Sequence, residues 1–185
     1  RVPLPWRVEK AELRKNGRLI YDGRASPLGV VTLSPSFSGR VSLGELRRHL
    51  FYSDIEPDAV VYHWGALYRP GQEDWGFCMP KALYDGLVDG DYDVEIITST
   101  HAGTMKILDF HIPGRSQRTI LLNAHNCHPY QANDDVSGCA VGIEVMKRLM
   151  KVPDRQFGYR LVIAPELIGT TFWLRDIGTQ ASHFA

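Results

Sequence analysis

The stretch NAHNCHPYQANDDVSG, residues 123–138, concentrates side chains that can do chemistry. It places two histidines, His125 and His128, and two adjacent carboxylates, Asp134 and Asp135, close together in the chain. Imidazole nitrogens and carboxylate oxygens are ligands that zinc takes in proteins, and a catalytic zinc site leaves one position open for water. The residue types and their spacing therefore predict a metal site.

Two apolar runs and two helical patterns are the elements that would position this cluster. RTILLNA precedes it and YRLVIAP follows later, and each is typical of a strand buried on both faces. IGTTFWLRDIG predicts a helix after the second strand. Residues 135–151 predict an amphipathic helix, because apolar side chains recur there every three or four positions. The apolar positions of that helix are Val136, Ala140, Ile143, Met146 and Met150.

The order strand, helix, strand predicts a parallel pair of strands. In open α/β sheets, ligands gather at the carboxyl ends of the strands. The histidine cluster follows the first strand, and Glu166 comes directly after the second. We therefore expect His125, His128, Asp134 and Glu166 to be offered by two neighbouring strand ends.

The same residues have other interpretations. Asp134 or Asp135 could serve only to cap the helix, whose amino-terminal amides favour an anionic side chain. Cys127 could be a soft metal ligand. A Cys127 nucleophile with His128 as its base is disfavoured, since adjacent residues of an extended chain point to opposite faces. The remaining histidines are predicted to be ordinary polar residues: His49, His63, His101, His111 and His183.

The first part of the chain has a different character. Residues 1–114 are rich in turn residues and β-formers, which predicts a small β-rich domain, with residues 115–185 forming an α/β core. A hairpin is expected over 92–112, turning near His101 to Gly103. SLGELRRHL and PKALYDGL predict short helices.

An aromatic run either fills the core of this domain or forms a platform for a sugar or peptide: Tyr62, Trp64, Tyr68, Trp75 and Phe77.

Composition limits the classes of function. Lys plus Arg equals Asp plus Glu, 21 of each among 185 residues, so no global field favours nucleic acid or an anionic membrane. The sequence has no apolar run near the roughly 20 residues of a membrane span and no secretory signal, so we expect a cytoplasmic protein. Three cysteines, Cys78, Cys127 and Cys139, are an odd number at unrelated spacings, which favours reduced thiols.

Several of these segments carry a resemblance to a known family. AHNCHPYQANDDVSG followed by APELIGT resembles a bacterial family of unknown function that has an aminopeptidase-like domain and is associated with polysaccharide biosynthesis. WGALYRPGQEDWGFCMP and GDYDVEI are similar to the small β-rich domain that this family inserts into its peptidase core. More distantly, ANDDVSG looks like the metal-bridging segment of the co-catalytic zinc aminopeptidases. The resemblance implies a partial zinc-exopeptidase-like α/β core with a parallel sheet.

The resemblance also implies roles for individual residues. Asp134 would be the metal-bridging carboxylate, with Asp135 fixing the loop. Either His125, by its place at the strand end, or His128, by its place in the CHP triplet, would bind metal. Glu166 would be the catalytic base or a metal ligand. The wider family has two consecutive glutamates at this place, one for each role. Here Leu167 follows Glu166, so either the base or the ligand has no matching residue.

The implied activity is zinc-assisted hydrolysis, with one or two ions, of an N-terminal peptide bond or a related amide in a peptide or aminoacyl conjugate. A homo-oligomeric assembly of the chain is compatible with this activity. The aminopeptidases take a further aspartate and histidine from beyond the glutamate, and Asp176 and His183 come too early to match them. We therefore expect either a fragment whose core continues or a truncated, inactive protein that uses its β-rich domain to bind carbohydrate or a protein partner.

Overall fold

A computed structural model describes residues 4–64, 74–128 and 131–184. The chain divides into two compact units, with the boundary between Gly103 and Thr104. The sequence prediction places the boundary after Gly114. The strand at Leu108–Ile112 accounts for the difference, because it pairs with a strand of the second unit.

The first unit is dominated by β-structure. Its elements are β1 (Trp6–Lys15), β2 (Arg18–Asp22), β3 (Phe37–Ser42), α1 (Leu43–Leu46), β4 (Leu50–Phe51), β5 (Phe77–Cys78), α2 (Lys81–Asp85) and β6 (Asp91–Thr100). An antiparallel sheet has the order β2-β1-β6-β3, and β4 and β5 form a short parallel pair.

The core of the first unit follows from strand periodicity. In β6, Tyr92, Val94 and Ile96 are buried at every second position and meet Ala11 and Leu13 of β1. Alternate side chains of a strand point to one face, so these two strands present a continuous apolar surface.

Both predicted short helices of this unit are present. Ser42 caps α1 by accepting a hydrogen bond from the Glu45 amide at 3.3 Å, and Pro80 directly precedes α2. The sequence also contains two segments rich in β-formers, GVVTL and AVVYHWG. Within the described residues they lie outside the strands, apart from an isolated bridge between Val30 and Phe77. Cys78 is fully buried, and burial raises the pKa of its thiol to about 12.

The aromatic run partly fills this core. Trp75 and Phe77 are buried, and Trp75 stacks between Phe37 and His49, with ring centroids 4.1 and 3.8 Å away. Tyr62 and Trp64 keep 38% and 42% of their surface exposed. Tyr68 lies outside the described residues.

The second unit is an α/β layer structure. Its elements are β7 (Leu108–Ile112), β8 (Thr119–His125), α3 (Gly138–Leu149), β9 (Gly158–Ala164) and α4 (Ile168–Ile177). The strand order is β7-β9-β8; β8 and β9 are parallel, as predicted, and β7 runs antiparallel at the edge.

Two apolar clusters hold helices against β9. Leu161 packs with Met146 of α3, whereas its neighbour Val162 packs with Trp173 and Ile177 of α4. Adjacent residues of a strand point to opposite faces, so the helices cover both sides of this strand. The apolar character of YRLVIAP follows directly from this burial.

Two sequence predictions are wrong. The hairpin expected over 92–112 is absent from the described structure, because β6 pairs with β1 and β3 while β7 pairs with β9. In α3 the side turned to the sheet carries Gly142 and Met146. Most of the predicted apolar face is exposed instead: Val136, Ala140, Ile143 and Met150. The 3.6-residue period fixes which residues share a face, but not which of two apolar faces meets the sheet.

A polar contact fixes α4 on the sheet. Both Asp109 carboxylate oxygens accept hydrogen bonds from Arg160 at 2.6 Å, and Trp173 Nε1 donates to the same carboxylate at 2.7 Å. Partial burial raises the pKa of the Asp109 carboxyl, but the hydrogen bonds from Arg160 and Trp173 outweigh burial and hold it below its ordinary value.

Among the described residues, none of the helices has the length and apolar character needed to cross a bilayer.

The Asp109 contact predicts a pH-dependent stability difference. Asp109→Asn should lower the free energy of unfolding by about 1–3 kcal/mol at pH 7, because Arg160 and the Trp173 N–H lose a charged acceptor. The folded pKa is depressed, so the stabilisation is complete above the unfolded pKa and is lost as pH falls through the folded value. Urea denaturation followed by far-UV circular dichroism should show the gap to wild type closing below about pH 4.

Asp154→Asn is the matched control for this experiment. Asp154 pairs with Arg115 at 3.2 Å, but both side chains are mostly exposed, so its loss should change stability little. An Asp109→Asn deficit of equal size at pH 3 and pH 7 would contradict the electrostatic explanation.

Candidate metal site

The predicted site residues lie at the carboxyl ends of the parallel strands. His125 is the last residue of β8, and Glu166 follows the end of β9 at Ala164. The segment Asn133–Ser137 leads into α3, and Asp134 and Asp135 within it have non-helical backbone angles. The peptide bond that joins these two aspartates is cis.

His125, His128 and Asp134 come together in one group, with one potential ligand atom from each lying within 4.8 Å of the others. His125 Nε2 is 2.6 Å from Asp134 Oδ1, and His128 Nε2 is 3.7 Å from Asp134 Oδ2. The histidine side chains are largely buried, whereas that of Asp134 is 79% exposed. The group is therefore open to solvent on the carboxylate side.

Glu166 belongs to a different group. Its carboxylate lies within 4.8 Å of potential ligand atoms of His125 and Cys127, and these two groups of described residues share only His125. Cys127 Sγ is 3.5 Å from His125 Nδ1, and the Glu166 amide donates to Cys127 Sγ at 3.4 Å. The structure therefore brings the four predicted residues to neighbouring strand ends, within two groups that share His125.

The hydrogen bonds of His125 define its tautomer in the neutral form. A carboxylate oxygen only accepts, so Nε2–H donates to Asp134. On the other side of the ring, the Gln131 amide nitrogen lies 3.2 Å from Nδ1 and donates to it. Nδ1 therefore carries the lone pair.

Asp135 joins the strand end to the helix start. Its Oδ2 accepts from the His125 amide at 2.9 Å, and its Oδ1 accepts from the Gly138 amide at 3.1 Å. A Cβ on Gly138 would lie 2.1 Å from Asp135 Oδ1, so glycine leaves the space that this carboxylate needs. The capping interpretation applies to Asp135, and Asp134 instead contacts the two histidines.

Cys139 adds a second connection between α3 and β8. Its thiol donates to the His125 carbonyl at 3.2 Å. Partial burial and the negative charge of Asp135 raise the pKa of the Cys139 thiol, so it stays protonated and keeps this donor role.

Sequence reasoning missed two neighbours of His125. It disfavoured Cys127 as a nucleophile with the adjacent His128 as base, and it did not consider a contact with His125. Residues two apart on an extended chain share a face, and Cys127 contacts His125. Gln131 lies in the loop before the aspartates, and its position carries no spacing signal that would have identified it. The other histidines give no reason to revise their assignment: His49 stacks on Trp75, and His63 stacks on Phe51.

The donor set of His125, His128 and Asp134 suits zinc. Two nitrogen or oxygen ligands of one tetrahedral zinc are about 3.3 Å apart, as bond lengths near 2.0–2.1 Å require. The 3.7 Å between His128 Nε2 and Asp134 Oδ2 is close to this separation. The 2.6 Å between His125 and Asp134 is that of a hydrogen bond, so a cation would replace the proton that they share.

The fold of the chain is that of an aminopeptidase-like α/β protein. The chain belongs to the family described as a domain of unknown function, DUF4910, whose model matches residues 4–183. The resemblance identified in the sequence is thereby confirmed.

Three relatives illustrate the similarity. A Clostridium acetobutylicum protein, named as a polysaccharide biosynthesis protein with aminopeptidase-like domain, is 32% identical over 94% of this chain and 39% of its own length. A crystal structure from C. acetobutylicum, named as a peptidase, has a TM-score of 0.80 and 29% identity over 98% of this chain and 42% of its own. BSAP, a zinc aminopeptidase from Bacillus subtilis, has a TM-score of 0.66 and 13% identity over 98% of this chain and 57% of its own.

The chain therefore spans about two fifths of the length of the Clostridium proteins that it matches. The likeness to BSAP, at 13% identity, shows a shared fold.

The Asp135 contacts predict the effect of adding one methyl group. Gly138→Ala should displace the Asp135 carboxylate and lower the free energy of unfolding by about 1–3 kcal/mol, because the His125 and Gly138 amides lose their acceptor. Amide hydrogen exchange at these two residues should accelerate, and thermal unfolding should report the loss of stability.

Gly44→Ala in α1 provides the control. The nearest atom to its added Cβ is Ser42 Oγ at 3.9 Å, so this variant should match or exceed wild-type stability, by up to about 1 kcal/mol from helix propensity. Unchanged exchange at His125 in Gly138→Ala would show that Asp135 does not hold the strand end.

Proposed function

We propose that the protein is a zinc-dependent aminopeptidase-like hydrolase that acts on an N-terminal peptide bond or a related amide. One observation carries the proposal: the potential ligand atoms of His125, His128 and Asp134 lie within 4.8 Å of one another at the strand ends of an aminopeptidase-like fold. The description of BSAP as a zinc aminopeptidase supports the choice of metal.

His125, His128 and Asp134 are the residues that would hold the ion. Zinc supplies a Lewis acid that polarises the scissile carbonyl and lowers the pKa of bound water toward about 7. Asp135 acts through His125: its hydrogen bond to the His125 amide sets where the imidazole stands. The exposed Asp134 carboxylate leaves the site accessible to a substrate.

Glu166 is the carboxylate proposed to accept a proton from water and pass it to the leaving amine. It is exposed, and its carboxylate lies within 4.8 Å of potential ligand atoms of His125 and Cys127. Leu167 follows it, so the chain has no second glutamate there to divide the roles of base and ligand. The proposed substrate is a peptide or aminoacyl conjugate.

Metal binding is the first test. Purified wild-type chain should bind zinc stoichiometrically by elemental analysis, and His125→Ala, His128→Ala and Asp134→Ala should each lower the affinity by on the order of 100-fold or more. The matched control is His111→Ala, in β7 of the same unit, which should bind zinc like wild type. Retention of full affinity in all three ligand variants would exclude this site.

The role of Glu166 has its own test. Glu166→Gln should reduce hydrolysis of aminoacyl-amide substrates by on the order of 10²–10⁴-fold, because a glutamine cannot accept the proton. Glu144→Gln is the control, since Glu144 is exposed on α3 and pairs with Lys147 and Arg148. Full activity in Glu166→Gln would show that another group acts as base.

A binding module without catalytic activity is the second candidate. Tyr62 and Trp64 expose 38% and 42% of their surface, and exposed aromatic rings can pack on sugars or peptides. A wild-type chain that binds no zinc but shows saturable binding of an oligosaccharide, lost in Trp64→Ala, would favour this function over hydrolysis.

A further inference from the structure

We propose that His125 Nδ1, Cys127 Sγ and the Glu166 carboxylate form a second cation site, one that binds a thiophilic divalent ion through the Cys127 thiolate. These three side chains offer potential ligand atoms within 4.8 Å of one another. The site goes beyond the proposed hydrolytic function, because it uses the opposite nitrogen of His125 and includes a sulfur ligand.

The spacing of the ligand atoms matches tetrahedral coordination. Bond lengths of about 2.3 Å for sulfur and 2.0–2.1 Å for nitrogen place the two atoms about 3.5 Å apart on one zinc ion. Cys127 Sγ and His125 Nδ1 are 3.5 Å apart. These two ligands can therefore receive an ion with little movement, whereas His125 and Asp134 must first separate.

The orientation of His125 also favours this site. Metal-binding histidines typically donate their other ring N–H to a carboxylate, which fixes the tautomer and makes the ligating nitrogen more basic. His125 Nε2–H donates to Asp134 at 2.6 Å, so the lone pair is on Nδ1, toward Cys127. Gln131 donates to this lone pair at 3.2 Å and would be displaced by an ion.

Backbone contacts hold the other two ligands near each other. The Glu166 amide donates to Cys127 Sγ at 3.4 Å, and the Asn126 amide donates to the Ala164 carbonyl at 3.3 Å. Cys127 and Glu166 are both exposed, so an ion can reach them from solvent.

Binding of the ion would convert the Cys127 thiol to a thiolate and release its proton to water. Thiolate ligands select zinc, and its spectroscopic substitute cobalt, over magnesium or calcium.

The two sites compete for one residue. A neutral imidazole has a single lone pair, so His125 serves either His128 and Asp134 or Cys127 and Glu166. An ion held by Glu166 also occupies the carboxylate proposed as the base. Occupation of the thiolate site and hydrolysis assisted by Glu166 are therefore alternative states of the protein.

Cobalt binding to the intact chain tests the inference through a spectroscopic signal that does not depend on activity. Titration with Co²⁺ should produce a sulfur-to-cobalt charge-transfer band in the near ultraviolet. Cys127→Ser should abolish the band, while His128→Ala should keep it because His128 is not in this group. Cys139→Ser is the matched control, because Cys139 is a half-buried thiol that donates to the His125 carbonyl. The cobalt complex of this variant should keep the charge-transfer band.

The outcomes separate this inference from the proposed function. Cobalt binding without a charge-transfer band, with affinity lost in His128→Ala, would overturn the thiolate site and leave the His125, His128 and Asp134 site standing. A band lost in Cys127→Ser but retained in His128→Ala would support the thiolate site. A band that persists in Cys127→Ser, or no cobalt binding at all, would overturn it.

Discussion

The two hydrogen bonds of the Asp135 carboxylate are the contact on which the candidate site depends. They connect the last residue of β8 to the first residue of α3 through the amides of His125 and Gly138. The connection places the adjacent Asp134 beside the His125 imidazole. It requires a glycine at position 138, because any Cβ there would occupy the position of the carboxylate oxygen. Asp135 therefore holds the loop, and Asp134 is left to contact the two histidines.

His125 is where the two groups of potential ligands meet, and the reason is geometric. His125 ends its strand, so other parts of the chain can reach both nitrogens of its imidazole. The loop before α3 supplies Asp134 to Nε2, and the extended chain after β8 supplies Cys127 to Nδ1. Glu166 lies near Cys127 because β9 is parallel to β8 and ends next to it. The tautomer of a single ring therefore decides which of its two nitrogens presents a lone pair.

Two apolar clusters and the Asp109 contact hold the second unit together. Helices lie against both faces of β9, and Asp109 connects β7, β9 and α4 through Arg160 and Trp173. This contact explains why β7 belongs to the α/β unit, although its sequence follows the β-rich part without interruption. The outer side of α3 keeps apolar residues exposed, including Val141 at 62% and Met150 at 57%.

Local sequence determined the elements around the site, which are the two buried strands and the helices after them, and it determined the α1 cap in the first unit. It also identified the histidines and carboxylates that the structure groups at the strand ends. Those follow from periodicity and residue chemistry, which act over a few positions. The tertiary structure alone decided the partner of β7, the face of α3 that meets the sheet and the grouping of Glu166 with Cys127 rather than with Asp134. Each of these depends on contacts between residues far apart in the chain, which no local pattern records.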